Sequence, residues 1–135
     1  MQSNARTEVR ALFVSELKLY PFWRDSSEVH VCGIDGGLSI AFRSRLGIPI
    51  GSTHFDVNVT EEGVFYLLHI ELEPCFRGRG IGNELYFLLE WLAKKLGCHR
   101  IEQTPSGTTF SGESRASYLE RRGWKLKDWI AYKEI

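Results

Sequence analysis

The most regular pattern in the chain lies past its midpoint. Ile81, Leu85, Leu88, Leu89, Leu92 and Leu96 recur at steps of four, three, one, three and four, a wide apolar stripe on one face of a helix. Lys94 and Lys95 suit its last turn, and Gly97 suits a left-handed cap beyond it. A second amphipathic helix is predicted over residues 4–20, where Val9, Leu12, Phe13, Leu17 and Tyr20 keep helical spacing up to Pro21.

From residue 28 the period drops to two. EVHVCGI and LSIAFRSR flank Asp35-Gly36-Gly37, the pattern of a hairpin. Residues 48–57 give a weaker strand signal, interrupted by Pro49 and Gly51. Glu61-Glu62-Gly63 marks a turn, and VFYLLHIEL, residues 64–72, has the length and content of a buried strand. Strict alternation puts Leu68, Ile70 and Leu72 on one of its faces and His69 and Glu71 on the other. A short strand follows over 99–103. The polar loop PSGTTFSG then leads to a helix near 113–122, capped by Ser111 and ended by Gly123. WKLKDWIAYKEI predicts one last strand, bent near Asp128. The elements describe a single domain, 1–135, of α/β (α+β) class, with helices layered on one sheet.

Charge balance narrows what such a domain recognises. Seventeen Lys and Arg stand against seventeen Asp and Glu. No global field draws the chain to nucleic acid or to anionic lipid, so neither is an expected partner and recognition of charge is local. Cys32, Cys75 and Cys98 have neither disulfide nor zinc spacing, so no metal is expected and a reducing, cytoplasmic setting is. The opening MQSNARTEVRALF lacks the apolar centre of a secretion signal.

Local charge is concentrated in LEPCFRGRGIG, residues 72–82, directly before the most regular helix. A helix start exposes unpaired N–H groups at the positive end of its dipole. Glycines at 78, 80 and 82 bare those groups, while Arg77 and Arg79 add charged donors. The spacing admits two readings, a cradle for a pyrophosphate or a tight turn with solvated arginines. The P-loop pattern is absent, and the dinucleotide pattern G-x-G-x-x-G fails at Asn83.

Leu72-x-Pro74-x-x-Arg77-Gly78-Arg79-Gly80-Ile81-Gly82, between a strand and a long helix, resembles the acyl-CoA signature of the GNAT superfamily of N-acyltransferases, whose core Arg/Gln-x-x-Gly-x-Gly/Ala is met by Arg77, Gly80 and Gly82. SYLERRGW, residues 117–124, is similar to the segment joining the family's next helix and strand. The resemblance covers about residues 60–135. It implies a GNAT-like fold, a mixed, strongly twisted sheet of about six strands that splays open beside the glycine loop. It further implies acetyl-CoA as acyl donor, its pantetheine arm on the backbone of Ile70 to Leu72 and its pyrophosphate on Arg77, Gly78, Arg79, Gly80, Ile81 and Gly82. Transfer would go directly to a primary amine of a small molecule, peptide or protein. A domain with weak or no turnover that holds acyl-CoA or presents the fold to a protein partner is the alternative, and a homodimer is a plausible assembly for a fold with exposed strand edges.

Direct attack needs a neutral amine. A lysine-like amine of pKa about 10.4 costs roughly 4.6 kcal/mol to deprotonate at neutral pH, so a base or water relay is useful. His69 and Glu71, two residues apart on the strand expected to carry the acyl end, are the candidate bases. The family often has an acid earlier on this strand, where Tyr66 stands. It often protonates the departing thiolate with a tyrosine, where Leu119 stands. Tyr118, one position away and rotated by about 100° on a helix, is the candidate acid. Ser114 and Ser117 are candidates to hold a water or to cap the helix, Cys75 is read as a spectator thiol, and Trp23, Trp91, Trp124 and Trp129 as core or rim.

Overall fold

The computed structural model describes residues 2–20, 28–34, 37–44, 46–58, 61–78, 80–109 and 111–135. Helix α1 (Gln2–Leu17) precedes strands β1 (Glu28–Ile34), β2 (Gly37–Arg43), β3 (Pro49–Val57) and β4 (Val64–Leu72). A single 3₁₀ turn (Pro74–Phe76) leads to α2 (Ile81–Lys95), followed by β5 (Arg100–Gln103), α3 (Arg115–Arg121), β6 (Lys125–Lys127) and β7 (Ile130–Glu134). Pro21 and the Asp35-Gly36 turn lie outside the described residues.

One mixed sheet runs in the order β1-β2-β3-β4-β5-β7-β6, as the expected fold class requires. Among the described residues β4 pairs with β5 in parallel and every other pair is antiparallel. The sheet has seven strands rather than about six because the tail folds back as a hairpin instead of bending. Asp128 takes φ +57° at the turn, and Trp129 stands 85% exposed beside it.

Both sequence features that weakened the β3 signal have a structural reason. Pro49 is the first residue of the strand, opposite an irregularity at Arg43, where the missing N–H removes nothing from the middle of the ladder. Gly51 permits close approach: a β-carbon there would stand 2.4 Å from the Glu71 carbonyl oxygen. Thus β3 is a full nine-residue internal strand.

The core lies between the sheet and α1 with α2. Ile40, Phe42, Phe55, Phe65, Leu67 and Ile101 from the sheet pack with Val9 and Leu17 of α1 and Leu85, Leu88, Leu89 and Leu92 of α2. Each such side chain, fully buried, contributes about 1.5–3 kcal/mol relative to exposure. Phe55 and Phe65 stack with ring centres 4.3 Å apart. The predicted leucine stripe of α2 is therefore the face that holds the helix on the sheet.

Strand β4 departs from strict alternation at one point. His54 pairs with His69 and Phe55 with Leu67, so Leu68 is an extra residue, a bulge 50% exposed. Leu67 and Ile70, three positions apart, consequently face the same side, opposite Phe55 and Thr53. Leu68 is not the buried partner of Ile70 and Leu72 that alternation predicts.

Candidate active site

The bulge matters because β4 loses a neighbour at the same place. Its parallel pairing with β5 runs from Val64–Arg100 to Leu67–Gln103 and stops, while β4 continues to Leu72. The strands part, and the Tyr66 hydroxyl and Thr104 Oγ1 meet at 2.5 Å beside the last paired residues. Beyond that point a cleft of about 440 Å³ opens, lined by Ile70, Glu71 and Leu72 of β4, by the start of α2, by the loop 106–109 with Ser111, and by α3.

The glycine loop forms one end of this cleft. Gly78, at φ +75°, and Gly80, at φ +80°, hold left-handed backbone that other residues rarely adopt. The first helical hydrogen bond of α2 runs from the Glu84 amide to the Gly80 carbonyl at 3.3 Å, so the amides of Ile81, Gly82 and Asn83 precede any intrahelical partner. Gly80 and Gly82 line the cleft. A β-carbon at Gly82 would meet only Leu72 Cδ1, at 3.6 Å, an ordinary contact. Packing within the protein therefore does not demand glycine at 82.

Arg77 is fixed by a hydrogen bond from its Nε to the Leu72 carbonyl, 2.8 Å, which ties the loop to the end of β4. Arg79 lies outside the described residues. Of the described cleft lining, Arg77, Arg115, Arg121 and Arg122 oppose Glu71 and Glu113, so the wall is positive. Glu113 accepts from Arg121 Nη2 at 2.7 Å and Arg121 Nε at 3.1 Å, and from Ser117 Oγ. The Arg121 guanidinium holds its carboxyl below the usual range. Arg122 rests over the Tyr118 ring at 4.9 Å. A bare helix start ringed by arginines fits a polyanion such as the diphosphate of coenzyme A.

The predicted residues divide. Ile70, Leu72, Arg77, Gly78, Gly80 and Gly82 line the cleft, as do Glu71 and Tyr118; Ile81 is buried at the helix start. His69 is exposed, paired with His54 on β3, and is not part of the lining: it shares a face of β4 with Glu71 but stands two residues nearer the paired half of the strand. Leu119 is fully buried in the core, while Tyr118, beside it on α3, faces the cleft and donates its hydroxyl proton to Asn83 Oδ1. Burial pushes the Tyr118 phenol up, against the pull of Arg122, so it stays protonated at neutral pH.

Ser114 caps α3 by accepting from the Ser117 amide at 3.2 Å, replacing the expected cap at Ser111, and the helix starts at Arg115 rather than 113. Trp124 is buried in the core, edge-on to Tyr86. Cys75 is exposed and unbonded.

Sequence reading missed Tyr86 and Arg115. The Tyr86 hydroxyl accepts from Arg115 Nη1 at 3.3 Å and from Gln103 Nε2 at 3.4 Å, and Arg115 Nε also donates to the Ser106 carbonyl. Tyr86 falls beside the leucine stripe and reads there as one more apolar position. Only the packing of α2 against β5 and α3 gives its oxygen these partners.

A mixed sheet parted beside a parallel strand pair, with a glycine-started helix at the opening, defines a GNAT-like fold. The chain belongs to the acetyltransferase (GNAT) family, whose model matches residues 7–124. None of the curated proteins matches it in sequence. Among solved structures, it is similar to the N-acetyltransferase PaiA from Thermoplasma acidophilum in complex with coenzyme A, at 20% identity and TM-score 0.57, over 72% of this chain and 60% of that one. An acetyltransferase from Bacillus subtilis in complex with coenzyme A gives 10% identity and TM-score 0.64, over 81% and 99%. A GNAT family acetyltransferase from Elizabethkingia anophelis with acetyl-CoA bound gives 12% and 0.63, over 82% and 99%. The chain thus spans less than two thirds of PaiA. At these identities the likeness is one of fold. No helix among the described residues is long and apolar enough to cross a membrane.

Proposed function

We infer that the chain is an N-acetyltransferase that moves an acetyl group from acetyl-CoA directly to a primary amine. The observation that carries the reading is the continuity of one cleft from the parted strands β4 and β5 to the unpaired amides at the start of α2. Acetyl-CoA, when bound, supplies an activated thioester. The amides at 80–82 and Arg77 hold its diphosphate, and the β5-side edge of Ile70–Leu72, where among the described residues only the Leu72 carbonyl is already engaged by Arg77 Nε, bonds the amides of its pantetheine arm.

Glu71 lines the cleft, is exposed, and has no ion-pair partner among the described residues. It takes the proton of the incoming ammonium, directly or through water, a step that otherwise costs roughly 4.6 kcal/mol for a lysine-like amine at neutral pH. His69, on the same side of β4, serves as a second acceptor for that water. The departing sulfur receives its proton from a phenol in the cleft wall, where Tyr118 and Tyr86 both stand.

The Leu119 side chain, turned fully into the core, favours a second reading, a domain that holds acyl-CoA without transferring from it. Two measurements separate the cases. Thermal unfolding is followed with acetyl-CoA, coenzyme A and NAD, where ligand at a hundred times its dissociation constant adds about 2.7 kcal/mol. Thiol release is then followed across a panel of small, peptide and protein amines. Stabilisation by both coenzyme A forms with turnover of an amine supports the transferase. Stabilisation without turnover across the panel assigns the binding domain, and no stabilisation removes both.

A further inference from the structure

We propose that Tyr86 is a catalytic residue, the phenol that protonates the departing thiolate, with Arg115 as its positioning residue. The inference rests on the coenzyme A reading above. Two phenols line the cleft, and their hydrogen bonds run in opposite senses. Tyr118 gives its proton to Asn83 Oδ1, an amide oxygen that can only accept. Tyr86 is the reverse: its oxygen accepts from Arg115 Nη1 at 3.3 Å and Gln103 Nε2 at 3.4 Å. A guanidinium offers no acceptor, so the Tyr86 proton is not directed at Arg115, and no described group receives it.

Position supports the same assignment. Gln103 is the last β5 residue paired with β4, and it is buried. An oxygen 3.4 Å from its side chain therefore lies at the point where the strands part, on the helix-covered side of the sheet. Tyr86 lines the same cleft as Gly80 and Gly82, so a thioester whose diphosphate sits there would extend along the wall that holds this hydroxyl. Tyr86 itself is 7% exposed and held by its ring contacts with Tyr118 and Trp124, so its hydroxyl is preset rather than recruited.

The atoms balance. The amine nitrogen, having given one proton to Glu71 or to water, bonds the thioester carbon, and the carbon–sulfur bond breaks. The sulfur leaves with the electron pair and takes the Tyr86 proton. The resulting phenolate faces the Arg115 cation until it regains a proton from water in the cleft, and the nitrogen's remaining excess proton passes to solvent. Donor thioester and amine become amide and thiol.

The test needs no knowledge of the acceptor. The full chain, in excess over coenzyme A, is treated with iodoacetamide across a pH series, and alkylated coenzyme A is separated by chromatography. A phenol donating to the sulfur favours the thiolate. Tyr86→Phe is therefore expected to raise the pH at which bound coenzyme A becomes reactive by about one unit, and by more than Tyr118→Phe does. With an amine substrate found by thiol release, Tyr86→Phe lowers kcat about a hundredfold while KM for acetyl-CoA is retained. Rescue of folding by the phenyl ring is checked by thermal unfolding, and Arg115→Lys, which keeps a cation in the cleft, is expected to give an intermediate shift. Identical reactivity profiles for wild type and Tyr86→Phe, or a shift confined to Tyr118→Phe, overturn the proposal. Failure of wild type to bind coenzyme A by calorimetry instead removes the reading beneath it.

Discussion

The two halves of β4 have similar apolar content and opposite fates. Over Val64 to Leu67 the strand is paired on both edges, and Val64, Phe65 and Leu67 are buried. Over Leu68 to Leu72 it is paired only with β3, and three of those residues, Leu68, His69 and Glu71, are exposed. A strand flanked on both sides spends its backbone polar groups on the sheet. A strand flanked on one side keeps some for a ligand. The bulge at Leu68 marks the boundary and turns Ile70 to the helix side, so one segment serves first as core and then as cleft wall.

The largest expected effect breaks the first half. Phe65→Ala removes a ring stacked on Phe55 at the centre of the core and costs about 3–5 kcal/mol, read as a large drop in melting temperature; a drop no greater than that of a surface substitution would deny Val64–Leu67 its structural role. Next in size, Glu71→Gln in the second half should lower turnover about a hundredfold, with coenzyme A affinity and melting temperature unchanged. Equal effects on turnover and stability would erase the contrast between the halves.

Arg77→Ala should weaken coenzyme A binding about tenfold, the loss of one charge-assisted partner, measured by calorimetry. Gly82→Ala sharpens the point. The position has room for a methyl and lies within a helix, so the change stabilises the fold by about 0.5–1 kcal/mol while weakening coenzyme A binding. Unchanged affinity would mean that the Gly82 amide does not face the diphosphate.

The smallest effect is one of pH. Arg121 holds the folded-state pKa of Glu113 below its ordinary value of 4.5, so the pair's contribution is present above that pH and fades as pH falls through the lowered value. Glu113→Gln should therefore flatten the dependence of melting temperature on pH in the acid range. Because both partners reach solvent, the change is small.

Much of the fold was legible in the chain because its signals are local. The leucine stripe fixed α2, period-two alternation fixed β1 and β2, and a short apolar run fixed β4, with bounds close to those observed. The glycine loop was legible for the same reason, since left-handed backbone at 78 and 80 and a helix start at 81 are properties of neighbouring residues. What failed depended on distant partners. The Leu68 bulge arises from register with β3, the full length of β3 from Gly51 passing under the Glu71 carbonyl, and the tail hairpin from β7 pairing with β5. Ser114 replaced Ser111 as the cap because the loop before α3 is folded on itself, with Thr109 N bonded to the Glu113 carbonyl and Arg115 N to that of Gly107.

The amino-acid sequence by itself determined the α2 helix and the glycine loop before it, because propensity and glycine freedom act over a few residues, while the donor was named by the loop's resemblance to a family signature. The tertiary structure alone decided which side chains share the cleft. Leu119 is buried while Tyr118 is not, Glu71 lines the cleft while His69 on the same face does not, and the Tyr86 oxygen meets Arg115 from another helix. Those outcomes follow from register and packing between elements far apart in the chain, which no short-range pattern encodes.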